Sequence, residues 1–184
     1  MNRKLTVFLE GGCSAVLAAS RYVANSCNLH SHTQIYHDFA NCTLDIKHEV
    51  EDMLKVFLLS MHIPVYKAHK VHGVYNKGRE VNLRYWMINP TNDPIGSQYK
   101  NGECSITIAL MCDSNRVLSI CAVPTEDKIY FDYPDRGVYV IERCSEIESD
   151  ITVTLLSTVA RSLSTDVADS EPLADLPDTH YWFG

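Results

Sequence analysis

The sequence predicts an α+β domain in which an antiparallel sheet is flanked by helices. The length of 184 residues is typical of one globular domain. Apolar residues recur at helical spacing in 46–60, which indicates an amphipathic helix. From residue 81 onward, short β-rich segments are separated by turn residues, and such short connections favour antiparallel neighbours.

The first third of the chain predicts two helices. Residues 14–24 are a short apolar segment, for which we predict a helix. Residues 25–42 are polar and rich in histidine, and we predict a loop that contains at most one strand. The clearest helix is 46–60, and its apolar face consists of Ile46, Val50, Met53, Leu54, Phe57 and Leu58.

The helix predicted over 46–60 also has a polar face and an end signal. Asp45 directly precedes it and suits an N-cap. Pro64 marks the region where the helix ends. The side chains predicted to face solvent are Lys47, Glu51, Asp52 and Lys55.

The strands follow in the second half of the chain. The turn-type segments 113–115 and 134–136 connect neighbouring strands. Residues 151–163 begin with β-branched residues and fit a strand, a helix, or one followed by the other. The predicted strands are Tyr85–Ile88, Cys104–Met111, Arg116–Val123, Lys128–Tyr133 and Gly137–Glu142.

The composition of the chain divides it into a domain and a tail. We expect one domain over residues 1–164 and an acidic, aromatic-ended tail over 165–184. The tail has five acidic residues, two prolines and no Lys or Arg. It fits either a mobile acidic segment or one whose terminal aromatic side chains bind its own domain or a partner; these side chains are Tyr181, Trp182 and Phe183.

The charge of the chain argues against several classes of partner. Sixteen basic against 23 acidic residues give a net charge of −7, which does not suit general nucleic-acid binding. Glu10 interrupts the apolar run 5–9 too early for a signal peptide, and no run is long enough to span a membrane. We therefore expect a cytoplasmic protein that binds neither nucleic acid nor membrane.

The cysteine and histidine residues leave open the hypothesis of a metal site. The seven cysteines form no Cys-x-x-Cys pair, and we expect reduced, mostly buried thiols. Gly11-Gly12 lacks the Lys-Ser/Thr of a phosphate loop. Cys27 and Cys42 lie near a histidine-rich stretch that fits either a zinc site or solvated side chains, namely His30, His32, His37, His48, His62, His69 and His72. We expect no cofactor.

The segment from Tyr85 to Pro94 resembles a known motif. It reads Tyr-Trp-Met-Ile-Asn-Pro-Thr-Asn-Asp-Pro, and is similar to Trp-x-(Ile/Val)-Asp-Pro-x-Asp-Gly-Thr of the inositol monophosphatase superfamily, closest to its 3′(2′),5′-bisphosphate nucleotidases. The segments 101–110, 118–124 and 43–45 resemble further parts of the family in the same order. The resemblance covers about residues 14–145 and implies the N-terminal half of that fold.

The resemblance also shows which catalytic positions differ. Family members hold two or three Mg²⁺ ions between a Glu-Glu pair, two motif Asp residues and a late Asp. Here Ala68 and His69 stand at the Glu-Glu positions, and Asn89 and Asn92 at the motif Asp positions. Asp93 is displaced by one residue and is followed by Pro94 in place of the family's Gly-Thr. Of the family's metal-site carboxylates, Asp45 alone has a match.

These replacements predict the loss of metal chemistry. Two unit charges 4 Å apart interact by ~4 kcal/mol at an effective dielectric of 20, so two dications repel several times as strongly. Carboxylates offset that repulsion, whereas asparagine offers neutral oxygens. We therefore expect no two-metal phosphoryl transfer. A local basic stretch offers an anion site or a solvated loop instead; it consists of Lys67, Lys70, Lys77, Arg79 and Arg84.

Three functions stay open on the sequence alone. The first is a catalytically inactive protein that acts by protein–protein interaction, as a homodimer or with an intact partner, such as a viral or mobile-element inhibitor of a host protein. The second is binding or sequestration of a nucleotide or another small phosphorylated ligand. The third is residual Mg²⁺-dependent phosphatase activity, in which Asp93 holds one ion.

Overall fold

The structure is a computed structural model that describes residues 3–31, 39–67, 84–89, 104–113, 115–133 and 137–147. Predicted features at 148–184, including the tail, lie outside these residues. The helices are α1 (Arg3–Ser31) and α2 (Phe39–Leu59). A short 3₁₀ helix covers Cys144–Glu146. The strands are β1 (Val65–Lys67), β2 (Arg84–Asn89), β3 (Ile106–Cys112), β4 (Asn115–Val123), β5 (Lys128–Tyr133) and β6 (Gly137–Glu142).

The six strands form one sheet in the order β1-β2-β3-β4-β5-β6. β1 is parallel to β2, and every other neighbouring pair is antiparallel. The predicted α+β class is confirmed, and each predicted strand matches β2 to β6 within two residues at either end. β1 was not predicted, because three residues are too few to show a period of two.

The sheet buries side chains on both faces. Alternate residues of β2 separate into two clusters, as strand geometry requires. Trp86 and Ile88 belong to the main core, which includes buried side chains of α1 and α2. Tyr85 and Met87 form a second cluster with Tyr66 and Met111, and they therefore lie on the opposite face of the sheet.

α1 is much longer than the helix predicted over 14–24. It extends from Arg3 to Ser31, so the loop predicted from residue 25 begins too early. In the structure a Cβ at Gly12 would lie 2.5 Å from Ile120 Cδ1 and 3.0 Å from Trp86 Cη2. Glycine therefore lets the helix pack closely against the sheet, and that packing outweighs its low helix propensity.

α2 also begins earlier than predicted. It starts at Phe39, so Asp45 lies inside the helix with an exposed side chain, and its prediction as an N-cap is wrong. Phe39, Cys42 and Ile46 continue the helical spacing toward the N-terminus. This extension of the apolar pattern outweighs the local cap signal.

Candidate functional site

The carboxyl ends of β1 and β2 form the candidate site. The two strands run parallel, with Lys67 opposite Ile88, so Lys67 and Asn89 end neighbouring strands at the same end of the sheet. Ligand sites often lie at the carboxyl ends of parallel strands. From the family resemblance, we expect the metal-site positions at or directly after the ends of these two strands.

Asn89 lies on the face of the sheet opposite the helices. It is half-buried and pairs across the ladder with Thr107, which in turn pairs with Cys121. The buried Thr107 hydroxyl donates to Cys121 Sγ at 3.5 Å. The Asn89 side chain is a neutral amide that accepts through its oxygen and donates through its nitrogen. It therefore carries no charge that would neutralise a cation.

Lys67 forms an ion pair with Glu51 of α2. The same Glu51 oxygen lies 3.0 Å from Lys55 Nζ. Glu51 is buried, with 5% of its surface exposed, so its predicted place on the solvent face of the helix is wrong. The physical reason is the unpredicted strand β1, which covers this part of α2 and brings a lysine to the carboxylate.

The two lysines keep Glu51 ionised. Burial by itself raises the pKa of a carboxyl group, because the charged form loses its hydration. Close ion pairs with Lys67 and Lys55 favour the charged form, outweigh burial and lower the pKa of Glu51 below its ordinary value of 4.5. The same interactions raise the pKa of Lys55 above 10.5. The group is therefore a charged carboxylate between two ammonium ions at neutral pH.

The described residues at these strand ends do not fit a pair of Mg²⁺ ions. Mg²⁺ prefers anionic oxygen ligands. The end of β1 has a cation, the end of β2 has an amide, and the nearby carboxylate of Glu51 is bound by lysines. The positions Ala68, His69, Asn92 and Asp93 lie outside the described residues. Asp45, the matched carboxylate position, is exposed on α2.

The structure describes two members of the predicted basic stretch. Lys67 ends β1, and Arg84 begins β2 at the opposite end of the parallel pair. The two side chains are therefore not brought together, and Lys67 is engaged by Glu51. Lys70, Lys77 and Arg79 lie outside the described residues, as do Tyr181, Trp182 and Phe183.

The thiols in the core are poor nucleophiles. Burial is the main cause that raises the pKa of Cys104, Cys121 and Cys144 to about 12, and it also raises the pKa of Cys13. A thiol with so high a pKa is almost entirely protonated at neutral pH. These cysteines are free, as predicted, and they serve as packing groups.

Some of the residues of the zinc hypothesis lie in the described part of the chain. Among the residues that the structure describes, no group of three or more His, Cys, Asp or Glu side chains is placed to hold a metal ion. His48 and His62 are exposed. The side chains of Cys42 and of the other five histidines of that stretch, those at 30, 32, 37, 69 and 72, lie outside the description.

Solved structures share this arrangement of helices and strands. CysQ from Bacteroides thetaiotaomicron, a bacterial member of the inositol monophosphatase family, covers 97% of this chain with a TM-score of 0.61 and 17% identity. Inositol monophosphatase II from Staphylococcus aureus covers 73% with a TM-score of 0.55 and 11% identity. Inositol monophosphatase from Anabaena covers 74% with a TM-score of 0.54 and 13% identity.

The chain matches part of the inositol monophosphatase fold. It spans 61% of the length of CysQ, and 49% and 48% of the other two proteins. No family model matches the sequence, and no curated protein matches it. The predicted resemblance is thus confirmed as a shared fold, and the nucleotidase branch stays a prediction. No helix in the described part of the chain is long and apolar enough to cross a membrane.

Proposed function

We propose that this chain is a pseudoenzyme, an inositol monophosphatase-like protein that performs no metal-dependent hydrolysis and acts by binding another protein. Two residues at neighbouring strand ends carry the proposal: Lys67 of β1, which pairs with Glu51 on the helix face of the sheet, and the neutral Asn89 of β2 on the other face. Two-metal phosphoryl transfer needs a cluster of anionic ligands. A cation and an amide at these strand ends oppose the binding of divalent ions.

Exposed apolar side chains support the binding half of the proposal. On α2, Val56 is 71% exposed and Leu59 is 54% exposed. On β6, Val138 and Val140 are 38% and 37% exposed. Single apolar side chains are common on surfaces, whereas groups on one element favour contact with another protein.

A hydrolysis assay tests the loss of catalysis. The full-length chain is incubated with Mg²⁺ and either adenosine 3′,5′-bisphosphate or inositol monophosphate, with an intact inositol monophosphatase as the positive control. We expect no phosphate release above the metal-free blank. Release that requires Mg²⁺ and is abolished by Asp93→Asn would show residual phosphatase activity and overturn the proposal.

A capture experiment tests the binding of a protein. The tagged full-length chain is used as bait in lysate of the expressing cells, beside a full-length variant with Tyr181, Trp182 and Phe183 changed to Ala. We expect one protein in stoichiometric amount, identified by mass spectrometry. Its loss with the variant would assign the contact to the tail, and its retention would assign it to the domain. Repeated captures that recover no protein contradict the proposal.

A further inference from the structure

Among the described strands, β6 forms one edge of the sheet. It is the last strand in the sheet order, and its ladder with β5 runs in continuous register from Lys128–Glu142 to Tyr133–Gly137. No other strand of the described residues pairs with its outer side. Edge strands are usually protected by Pro, Lys, a bulge or a covering element. The sequence of β6 contains neither Pro nor Lys, and its register shows no bulge.

The strand is held firmly by its buried residues. Tyr139 stacks on Phe131 with ring centroids 5.1 Å apart, and Ile141 is 1% exposed. Because side chains alternate along a strand, Val138, Val140 and Glu142 lie on the other face. This exposed row consists of two aliphatic positions followed by one acidic position, and the Glu142 side chain is 66% exposed.

The charges around the row give it a negative end. Glu142 lies 4.0 Å from Lys128 Nζ, which lies 3.7 Å from Glu126. Lys128 is thus shared between two carboxylates. A further cation beside Glu142 would be favourable, whereas a further carboxylate would be repelled.

We propose that β6 binds an extended segment of a partner protein as a seventh strand. In the antiparallel orientation the segment has the pattern basic–x–aliphatic–x–aliphatic, with the basic residue beside Glu142 and the aliphatic residues beside Val140 and Val138. Backbone hydrogen bonds supply general affinity, and the alternate side chains supply selectivity. This inference deepens the proposed function, on which it rests, by naming the surface and the partner's chemistry.

A second copy of the chain fits this edge less well. Residues 137–142 contain no Lys or Arg. Antiparallel pairing of two β6 strands around Val140 would place Glu142 of each copy opposite Val138 of the other. Neither copy would then add a cation to the other's Glu142, which keeps only Lys128 of its own chain nearby. The charge of the edge therefore favours a basic segment from a different protein.

Synthetic peptides test the proposal on the full-length chain. Fluorescence polarisation compares Thr-Lys-Thr-Val-Thr-Val-Thr with the same peptide carrying Glu in place of Lys, and with one carrying Ser in place of both Val residues. We expect the Lys peptide to bind about tenfold more tightly than the Glu peptide, which corresponds to about 1.4 kcal/mol. The variant Glu142→Lys should reverse this preference, whereas the control Glu146→Lys should keep it, because Glu146 is exposed outside β6.

Each outcome decides the proposal. Equal binding of the Lys and Glu peptides, no binding of the Lys peptide, or an unchanged preference in Glu142→Lys overturns it. A wild-type chain that dimerises through β6 and excludes the peptides also overturns it, in favour of a second copy. If Glu142→Lys fails to fold, the peptide charge swap on the wild-type chain still decides. Mg²⁺-dependent hydrolysis would overturn the proposed function. The peptide result would still decide whether β6 binds an extended segment.

Discussion

The ammonium group of Lys67 lies against the carboxylate of Glu51, which joins the end of β1 to the middle of α2. Glu51 also binds Lys55 at 3.0 Å, so one buried carboxylate holds lysines from two elements. A buried charge is stabilising only when its partners are retained. This relationship leads to the first two predictions.

Glu51→Gln should destabilise the protein by about 1–2 kcal/mol. This loss is smaller than that expected for a fully buried ion pair, because both lysines are partly exposed to solvent. The change leaves two ammonium groups without their shared carboxylate. Urea denaturation followed by circular dichroism measures the loss. The matched control is Asp52→Asn, which removes the exposed partner of Lys55 and should cost less than about 0.5 kcal/mol. Equal losses in the two variants would contradict this account.

The contribution of Glu51 to the free energy of unfolding should depend on pH and decrease in acid. Its folded-state pKa lies below the ordinary value of 4.5, so the contribution is complete above that pH and is lost as the pH falls through the lowered pKa. Burial raises the pKa of Asp132 and outweighs the opposing charge of Arg116, so the contribution of Asp132 to stability changes with pH in the opposite direction. Both wild type and Glu51→Gln contain Asp132, so its contribution cancels in the difference between their free energies of unfolding. We expect that difference to shrink below pH 4.5. A difference that stays constant down to the pH of acid unfolding would contradict this prediction.

Arg21→Met should loosen the segment that follows β6. The Arg21 guanidinium donates to the carbonyl oxygen of Cys144 at 3.1 Å and to that of Ile147. Loss of hydrogen bonds from a charged donor should cost about 1.5–3 kcal/mol. Denaturation and the rate of proteolysis near Ile147 measure the change. Arg21→Lys keeps the charge and should recover part of the stability, and a wild-type rate of cleavage in Arg21→Met would argue against this anchor.

The two adjacent glycines of α1 should respond differently to alanine. A Cβ at Gly12 meets Ile120 and Trp86 in the core, so Gly12→Ala should destabilise the fold by about 1 kcal/mol after the gain in helix propensity. A Cβ at Gly11 meets the sulfur and terminal methyl of Met61, which is a flexible side chain. Gly11→Ala should therefore be neutral or stabilise by up to about 1 kcal/mol. Thermal denaturation of both variants checks the order, and the reverse order would refute it.

Alkylation should separate the cysteines by burial. Cys13, Cys104, Cys121 and Cys144 are buried, and their raised pKa values leave almost no thiolate at neutral pH. Among the six cysteines whose side chains the structure describes, the half-buried Cys112 should react with iodoacetamide first, ahead of the half-buried Cys27, whose pKa burial raises. Peptide mass spectrometry of the labelled folded chain gives the order. Early labelling of Cys121 would mean that the second face of the sheet opens readily.

The strands could be predicted because their signal is local. Runs such as Lys128–Tyr133 and Gly137–Glu142 have the residue types of strands and are bounded by turn residues. The family resemblance was also readable, since its motif segments follow one another in order along the chain. At the candidate site, the neutral residue type at Asn89 is visible in the sequence, but the predicted strand stopped at Ile88, one residue before the end of β2.

The sequence-based predictions were wrong where residues far apart in the sequence come into contact. Glu51 was assigned to solvent because nothing near it in the chain shows that Lys67 lies against it. The length of α1 was underestimated because Gly12, which weakens a helix locally, also allows it to approach Ile120. Lys67 and Arg84 look like parts of one basic stretch, yet a parallel strand pair places them at opposite ends.

The sequence by itself determined the fold class, the strands β2 to β6 and the absence of acidic residues at Asn89 and Asn92, because residue type and local periodicity are written in the chain. Only the tertiary structure decided that Glu51 is a buried carboxylate shared by two lysines, that Gly12 lies against the sheet, and that Val138, Val140 and Glu142 form an exposed row on the last of the described strands. Those properties depend on which distant surfaces pack together, and burial and charge pairing are set by that packing.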